Sequence, residues 1–247
     1  MKGEKVETTT MRQSEASKRV VELLASSVLA LCVSTAQAAV VTVSFQGSIG
    51  AVDSVLNGSF SVGDTIIGTY TYDSATANTA IPNNNYSDYR NAVKSLSVSV
   101  TKSGGYTASL NSSLENQIYY GDNKEAYFAL DPSSTPYPDA DEYYLFTPAS
   151  GATIGTLILD AFLINLIDTD GTVFSTANIA PLPESLPPLA AFELRGFLFQ
   201  FCESAGTPCN FASGTITSIS VPEPATLALF GLGLAGIGAM RRKKLAA

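Results

Sequence analysis

The stretch Leu96-Ser97-Val98-Ser99-Val100 (LSVSV) alternates apolar and polar side chains without interruption. Successive side chains of a β-strand point to opposite faces, so this pattern predicts a strand with one buried face and one face in water. An amphipathic helix would instead need apolar residues three and four apart, and the body of the chain lacks that spacing. The stretch therefore predicts an all-β fold.

The same period of two recurs on both sides of this stretch. It is present in VVTVSF (40–45), TIIGTYTYD (65–73) and FLFQF (197–201). Turn-forming sequences separate such runs, namely NGS (57–59), VGD (62–64), SGG (103–105), YGDN (120–123) and DTDG (168–171). Many short strands at this spacing predict an antiparallel β-sandwich of the jelly-roll type.

Three further segments of the body differ from this alternation. TLILDAFLINLID (156–168) is apolar on both faces, which predicts a central strand, and its expected partner is the phenylalanine-rich strand near residue 197. IPNNNYSDY (81–89) and DPSSTPYPDADEYY (131–144) are polar and contain proline, so both are expected to form long surface loops.

The N-terminus predicts a secretory signal peptide over residues 1–38, with a signal helix. Five basic residues lie between positions 2 and 19, the apolar run VLALCV follows at 28–33, and Ala36-Gln37-Ala38 gives the small-x-small pattern of a cleavage site. The basic region is long, so Met11 is an alternative start to Met1. A buried N-terminal helix is the alternative interpretation of the segment.

Net charge argues against one class of partner. Between residues 39 and 224 the chain has five Lys and Arg against eighteen Asp and Glu, a net charge of −13. Such a body repels nucleic acid, whose phosphate backbone needs positive charge for binding. We therefore expect no nucleic-acid partner.

The cysteines agree with export. Cys32 would be removed with the signal peptide, which leaves Cys202 and Cys209 in the mature chain. In an oxidising compartment two such neighbours are expected to form a disulfide that closes the loop CESAGTPC. Lipidation of Cys32 is disfavoured because Leu31, rather than a small residue, precedes it.

The C-terminal segment VPEPATLALFGLGLAGIGAMRRKK (221–244) combines three features. Residues 225–240 carry no charge and as a helix would span about 24 Å, slightly less than a hydrocarbon core of about 30 Å. We expect a single transmembrane helix there. Its membrane stop is the basic tail, which stays cytoplasmic and consists of Arg241, Arg242, Lys243 and Lys244. Four glycines weaken this helix, so the sequence favours a transient anchor over a permanent one.

The order of these features resembles the PEP-CTERM sorting domain of bacterial exported proteins. The motif comprises Val221, Pro222, Glu223 and Pro224, and the two prolines hold the chain extended ahead of the helix. The resemblance implies a Gram-negative-type host that produces exopolysaccharide. It also implies that an exosortase, an integral-membrane enzyme similar to thiol transpeptidases, recognises the segment and cleaves near the motif. An ordinary single-span anchor is the alternative.

This resemblance completes the expected domain organisation. A signal peptide (1–38) precedes a β-sandwich ectodomain (39–220), which is followed by the sorting segment (221–247). The protein would pass through the inner membrane transiently and then reach the cell surface or the extracellular space.

The body offers few catalytic devices. The chain has no histidine, which excludes Ser-His-Asp triads, Cys-His dyads and His-ligated zinc. Paired carboxylates remain, with Asp160, Asp168 and Asp170 as candidates by proximity in sequence. The pair Asp170-Gly171 is better explained as a hairpin turn, and a calcium loop beginning there would lack its later acidic ligand.

A second cluster is a candidate ligand or calcium loop. Asp139, Asp141 and Glu142 supply oxygen atoms of the kind that Ca²⁺ prefers, and Tyr143 and Tyr144 beside them could stack on sugar rings. The alternative is a solvated loop whose tyrosines cap the core. The chain has no tryptophan, the best platform for such stacking.

Three function classes follow from these observations. The favoured one is a non-catalytic cell-surface or extracellular-matrix protein delivered through the sorting segment. The alternative is a carbohydrate-binding module that holds exopolysaccharide, and the third is a carboxylate-dependent hydrolase. We expect no enzyme activity and no cofactor, with Ca²⁺ as the alternative.

Overall fold

The fold consists of ten antiparallel strands. The computed structural model describes residues 40–80, 85–101, 105–128, 136–174, 182–203 and 208–222. The strands are β1 (Val40–Val52), β2 (Thr65–Asp73), β3 (Tyr86–Arg90), β4 (Val93–Val100), β5 (Thr107–Leu110), β6 (Gln117–Ala126), β7 (Tyr137–Gly151), β8 (Leu157–Asp168), β9 (Leu194–Glu203) and β10 (Cys209–Ser220). Two 3₁₀ turns lie in the connections between strands, Ser54–Leu56 between β1 and β2 and Leu189–Ala191 between β8 and β9. The described residues contain no α-helix. The all-β prediction is confirmed.

The predicted jelly-roll sandwich is wrong, because the sheet closes on itself. Its strand order is β3-β6-β7-β5-β4-β2-β1-β10-β9-β8, and an additional pairing of β7 with β8 joins the ends of an eight-stranded antiparallel barrel. Strand β7 makes closure possible because its fifteen residues pair on both edges. Residues 141–148 pair with β8, whereas the other edge pairs first with β6 (137–146) and then with β5 (149–151). Closure removes the unpaired edges of the eight barrel strands, whereas β3 pairs with β6 alone among the described strands.

Alternation along the strands fills the barrel interior. In β4, Leu96, Val98 and Val100 are buried, as the sequence predicts. Aromatic rings contribute much of the core, and the Phe162 ring lies 5.6 Å from the Phe45 ring and 4.9 Å from the Phe199 ring between centroids. Burial of such side chains stabilises each by about 1.5–3 kcal/mol, so this interior is the main source of folding free energy.

Strand β8 confirms the prediction for residues 156–168. It pairs with β9, and Ile164 lies opposite Phe197. From residue 161 onward both faces are buried, because Ala161, Leu163 and Leu198 form a separate apolar cluster. The sequence therefore identified both the central strand and its partner.

The predicted loop at 131–144 is wrong over its second half. Residues 137–144 belong to β7, and residues 131–135 lie outside the described residues. Tyr143 and Leu145 point into the barrel, whereas Glu142 and Tyr144 alternate with them on the outer face. Within 137–144, Pro138 and three acidic residues interrupt the apolar-polar alternation, so the sequence does not show this period of two. The predicted loop at 81–89 is likewise shortened by β3, and residues 81–84 lie outside the described residues.

The predicted disulfide is confirmed. A bond joins Cys202 to Cys209, and the two cysteines are directly opposed in the register of β9 and β10. The bond therefore fastens the two strands at one end of the barrel.

Several predicted segments cannot be compared with the structure. The signal peptide (1–38), the apolar helix (225–240) and the basic tail (241–244) lie outside the described residues, as do Glu223 and Pro224 of the motif. Within the described residues, none of the helical segments has the length and apolar character needed to cross a membrane. The two terminal helices remain predictions.

Candidate functional site

An open groove runs over the outer face of β6 and β7. Its volume is 420 Å³, within the range of small-molecule sites. We call it the tyrosine groove, and its lining residues are Gln117, Tyr119, Glu125, Tyr127, Glu142 and Tyr144. The groove thus combines three aromatic rings with two carboxylates and one amide.

Strand register creates the groove. Tyr119 of β6 lies directly opposite Tyr144 of β7, and both point outward because their chain neighbours Tyr120 and Tyr143 are buried in the core. Gly121 lies opposite Glu142, and a Cβ there would come within 3.3 Å of the Tyr119 ring, so glycine leaves space for that ring. The two tyrosines and the carboxylate are therefore fixed by rigid backbone.

Glu142 is an acid of the groove whose pKa is strongly raised. It is mostly buried, and burial raises its pKa to about 7, although a hydrogen bond from Asn165 and the positive charge of Lys124 act in the opposite direction. The Asn165 side-chain amide donates to Glu142 Oε1 at 2.6 Å. The carboxyl group is thus held in one orientation and changes charge near neutral pH.

Hydrogen bonds also order the rim of the groove. The Tyr127 hydroxyl donates to Glu125 Oε1 at 2.6 Å, although the Tyr127 ring is 56% exposed. Gln117 donates from Nε2 to Asp88 Oδ1 at 2.8 Å. These bonds fix an amide and an exposed aromatic ring at positions where a ligand could contact them.

The aromatic surface extends beyond the groove. Tyr86 of β3 stacks on Tyr119 with ring centroids 5.6 Å apart. The Lys124 ammonium lies 3.9 Å from the Tyr86 ring centroid and 5.8 Å from that of Tyr119. The chain therefore already places a primary ammonium group on this aromatic surface.

The predicted cluster at 139–144 is divided between two faces of β7. Glu142 and Tyr144 line the groove. Tyr143 points into the core, where its hydroxyl lies 2.7 Å from that of Tyr70. Asp141 is also buried and accepts hydrogen bonds from the backbone N–H groups of Asn123 and Phe174. Asp139 is exposed and has a positive φ of 54°.

The carboxylates of Asp141 and Asp168 accept hydrogen bonds from backbone N–H groups. They are opposite each other in the register of β7 and β8. Burial acts to raise the pKa of Asp168, but N–H groups of Thr172 and Val173, with help from Asp170, lower it overall. Because their oxygens are occupied by these donors, the two carboxylates organise the loop after β8.

Metal ligation has little geometric support in this region. Among the residues that the structure describes, no group of three or more His, Cys, Asp or Glu side chains is arranged to hold a metal ion. The predicted turn at Asp170-Gly171 is present, and Gly171 adopts a positive φ of 66°. It does not close a hairpin, since β8 ends at Asp168 and β9 begins only at Leu194.

The proposed carboxylate pair does not assemble. Asp160 and Asp168 both lie on β8, eight residues apart, which corresponds to about 26 Å along a strand. Glycosidase carboxylates lie about 5–10 Å apart. Asp160 instead accepts a hydrogen bond from Gln200 at 3.1 Å on the outer surface.

Four residues of the groove are absent from the sequence prediction, namely Gln117, Tyr119, Glu125 and Tyr127. Alternation within QIYYGDNKEAY (117–127) indicates that some of them share a strand face. Their position beside Glu142 depends on the register between β6 and β7, which the sequence does not specify.

The comparison with known protein families gives a match to the C-terminal segment of the chain. The family model of the PEP-CTERM protein-sorting motif matches residues 220–243. The chain therefore carries the sorting motif of exported proteins that are exosortase substrates, and the resemblance drawn from VPEP and RRKK is confirmed. No curated protein matches the chain. No solved structure matches it either.

Proposed function

We propose that this chain is a non-catalytic protein of the cell surface or extracellular matrix, delivered through its PEP-CTERM segment and processed there by an exosortase. The matched motif at residues 220–243 is the observation that carries the proposal. It implies export and passage through the membrane. The acidic body keeps such a protein soluble and unattracted to anionic lipid once it is released.

The junction between barrel and motif supports this function. Ser220 is the last residue of β10, which lies between β1 and β9, and it pairs with Ser44. Val221 packs against the core, whereas Pro222 is exposed. Pro222 is therefore exposed and outside the paired part of β10, which leaves the first proline of the motif accessible to the exosortase.

The non-catalytic part of the proposal is supported by the use of the acidic residues. The chain has no histidine. Asp141 and Asp168 are occupied by backbone donors, and Asp160 lies on the outer surface far along β8 from Asp168. Each of these carboxylates therefore accepts hydrogen bonds from backbone or side-chain groups, and Asp160 and Asp168 are too far apart to act as a catalytic pair.

Replacement of Pro222, Glu223 and Pro224 by alanine tests the sorting function. The barrel ends at Ser220, so the variant should fold normally, as judged by circular dichroism. We expect it to accumulate in the inner-membrane fraction while the natural sequence reaches the surface. Glu203→Ala, at the exposed end of β9, is the control. Unchanged surface display of the triple variant would contradict the proposal.

A second candidate function is carbohydrate binding, and the tyrosine groove is the observation that favours it. Aromatic faces pack against the apolar C–H surfaces of sugars, and Glu125, Glu142 and Gln117 provide hydrogen-bonding groups beside them. A protein of the extracellular matrix could hold exopolysaccharide in this way. Tyr127→Ala should abolish retention on a polysaccharide column if the groove is the site, whereas Phe211→Ala on β10 should not.

A further inference from the structure

The tyrosine groove has a charge that restricts its ligand. Its lining includes the carboxylates of Glu125 and Glu142, and none of the six described residues that line it is Lys or Arg. A carboxylated or sulfated ligand would meet repulsion there. A ligand with a positive charge would be complementary to it.

One cation acts on the Glu142 carboxylate among the described groups that face it. The described groups that face it are Lys124, Tyr119, Tyr144 and the Asn165 amide, and Glu125 lines the same groove. Lys124 is the one cation in this set, and its ammonium already lies over the Tyr86 ring. Within this set the carboxylate has one hydrogen-bond donor, and the one cation lies over the Tyr86 ring, so a second ammonium from a ligand would further stabilise the ionised form of Glu142.

The aromatic rings favour a sugar as the carrier of that ammonium. Tyr119 and Tyr144 are held side by side by strand register, so they offer a rigid double ring surface at little entropic cost. Tyr127 adds an exposed ring at the rim, and Lys124 places an ammonium over the neighbouring Tyr86 ring, a contact that aromatic faces favour. Flat rings beside a carboxylate suit a saccharide that carries an amino group.

We infer that the tyrosine groove binds a polysaccharide containing free amino sugars, with the sugar ring against Tyr119 and Tyr144 and the ammonium at Glu142. This inference rests on the second candidate function, carbohydrate binding, and adds the class of sugar. Neutral and N-acetylated glycans would contact the rings without the ionic interaction. They would therefore bind more weakly.

Titration calorimetry of the purified protein with three hexasaccharides at pH 7 and 150 mM salt tests this inference. The probes are the hexamers of glucosamine, N-acetylglucosamine and glucose. A charge-assisted hydrogen bond contributes enough for a preference of about tenfold or more for the glucosamine hexamer. A hexapeptide of lysine is the fourth probe, because it carries the charge without the sugar rings.

Two matched variants assign the effect to the groove. Glu142→Gln keeps the size of the side chain and an oxygen that can accept from Asn165, but it removes the charge. It should reduce the glucosamine preference to about twofold, because the ionic part of the interaction is lost. Glu203→Gln changes the net charge equally at the exposed end of β9 and should leave the preference intact.

The outcomes separate the inference from the function on which it rests. Equal affinity for all three hexasaccharides would overturn the amino-sugar inference and leave carbohydrate binding standing. Failure of every hexasaccharide to bind would overturn both. Binding of lysine hexapeptide as tight as that of the glucosamine hexamer, or equal losses in both Gln variants, would also overturn the inference, because general attraction to an acidic protein would then explain the preference.

Discussion

The substitution Glu142→Gln should make the protein more stable at alkaline pH and remove part of its pH dependence. Burial raises the pKa of Glu142 to about 7, whereas the carboxyl group of an unfolded chain titrates near its ordinary value of 4.5. The folded state therefore holds this proton more tightly than the unfolded state. Stability falls as pH rises between these two values and is constant above them.

The size of the effect follows from the shift. One pKa unit corresponds to about 1.4 kcal/mol, and between pH 5 and pH 8 the linkage relation assigns Glu142 a loss of about 2–3 kcal/mol. A glutamine side chain at this position cannot ionise, so the difference in unfolding free energy between the variant and the natural protein should grow by that amount. Other titrating groups, Asp141 among them, contribute equally to both proteins and cancel.

Urea unfolding followed by far-ultraviolet circular dichroism at pH 5, 6, 7 and 8 measures this difference directly. The chain has no tryptophan, so a backbone signal is the better probe. Glu203→Gln, an exposed acid at the end of β9, serves as the control and should show no trend. The difference in unfolding free energy between Glu142→Gln and the natural protein could instead stay constant within about 0.5 kcal/mol over this pH range. That result would show that burial does not raise the pKa of Glu142.

Three further substitutions test the barrel. Tyr120→Phe should raise the unfolding free energy by about 1 kcal/mol, because this buried hydroxyl has no hydrogen-bond partner among the described residues; a large loss would contradict that geometry. Gly68→Ala should lower it by at least about 1–3 kcal/mol, since a Cβ would overlap the Phe45 ring, and wild-type stability in the same urea titration would refute that packing. Joint replacement of Cys202 and Cys209 by serine should cost about 2–3 kcal/mol from the entropy of the closed loop, and an unchanged urea midpoint would argue against this.

The strands were predictable from the sequence, whereas the closure of the barrel was not. Alternation identifies a strand such as β4 because burial acts on one face at a time. Closure depends on β7, which pairs with β8 on one edge and with β6 and β5 on the other. Pro138 and the three acids of residues 139–142 suggested a loop, since proline and charge are rare in central strands.

The candidate site was also only partly predictable from the sequence. Asp141 and Glu142 are adjacent in sequence, and proximity predicts that they share a site, but strand geometry sends them to opposite faces. Tyr119 and Tyr144 are distant in sequence, yet the register of β6 and β7 makes them direct neighbours. The sorting motif, by contrast, was fully predictable, because it is recognised as a linear segment and needs no register.

The molecular mass of the mature surface protein tests the sorting mechanism most directly. It should be measured in a host with its exosortase and in the same host after deletion of that enzyme. We expect the surface form to lack the basic residues 241–244 and to end near the Pro-Glu-Pro motif. In the deletion strain, the protein should retain the full tail in the membrane fraction. Surface protein of identical mass in both strains, with Arg241 to Lys244 intact, would contradict this expectation.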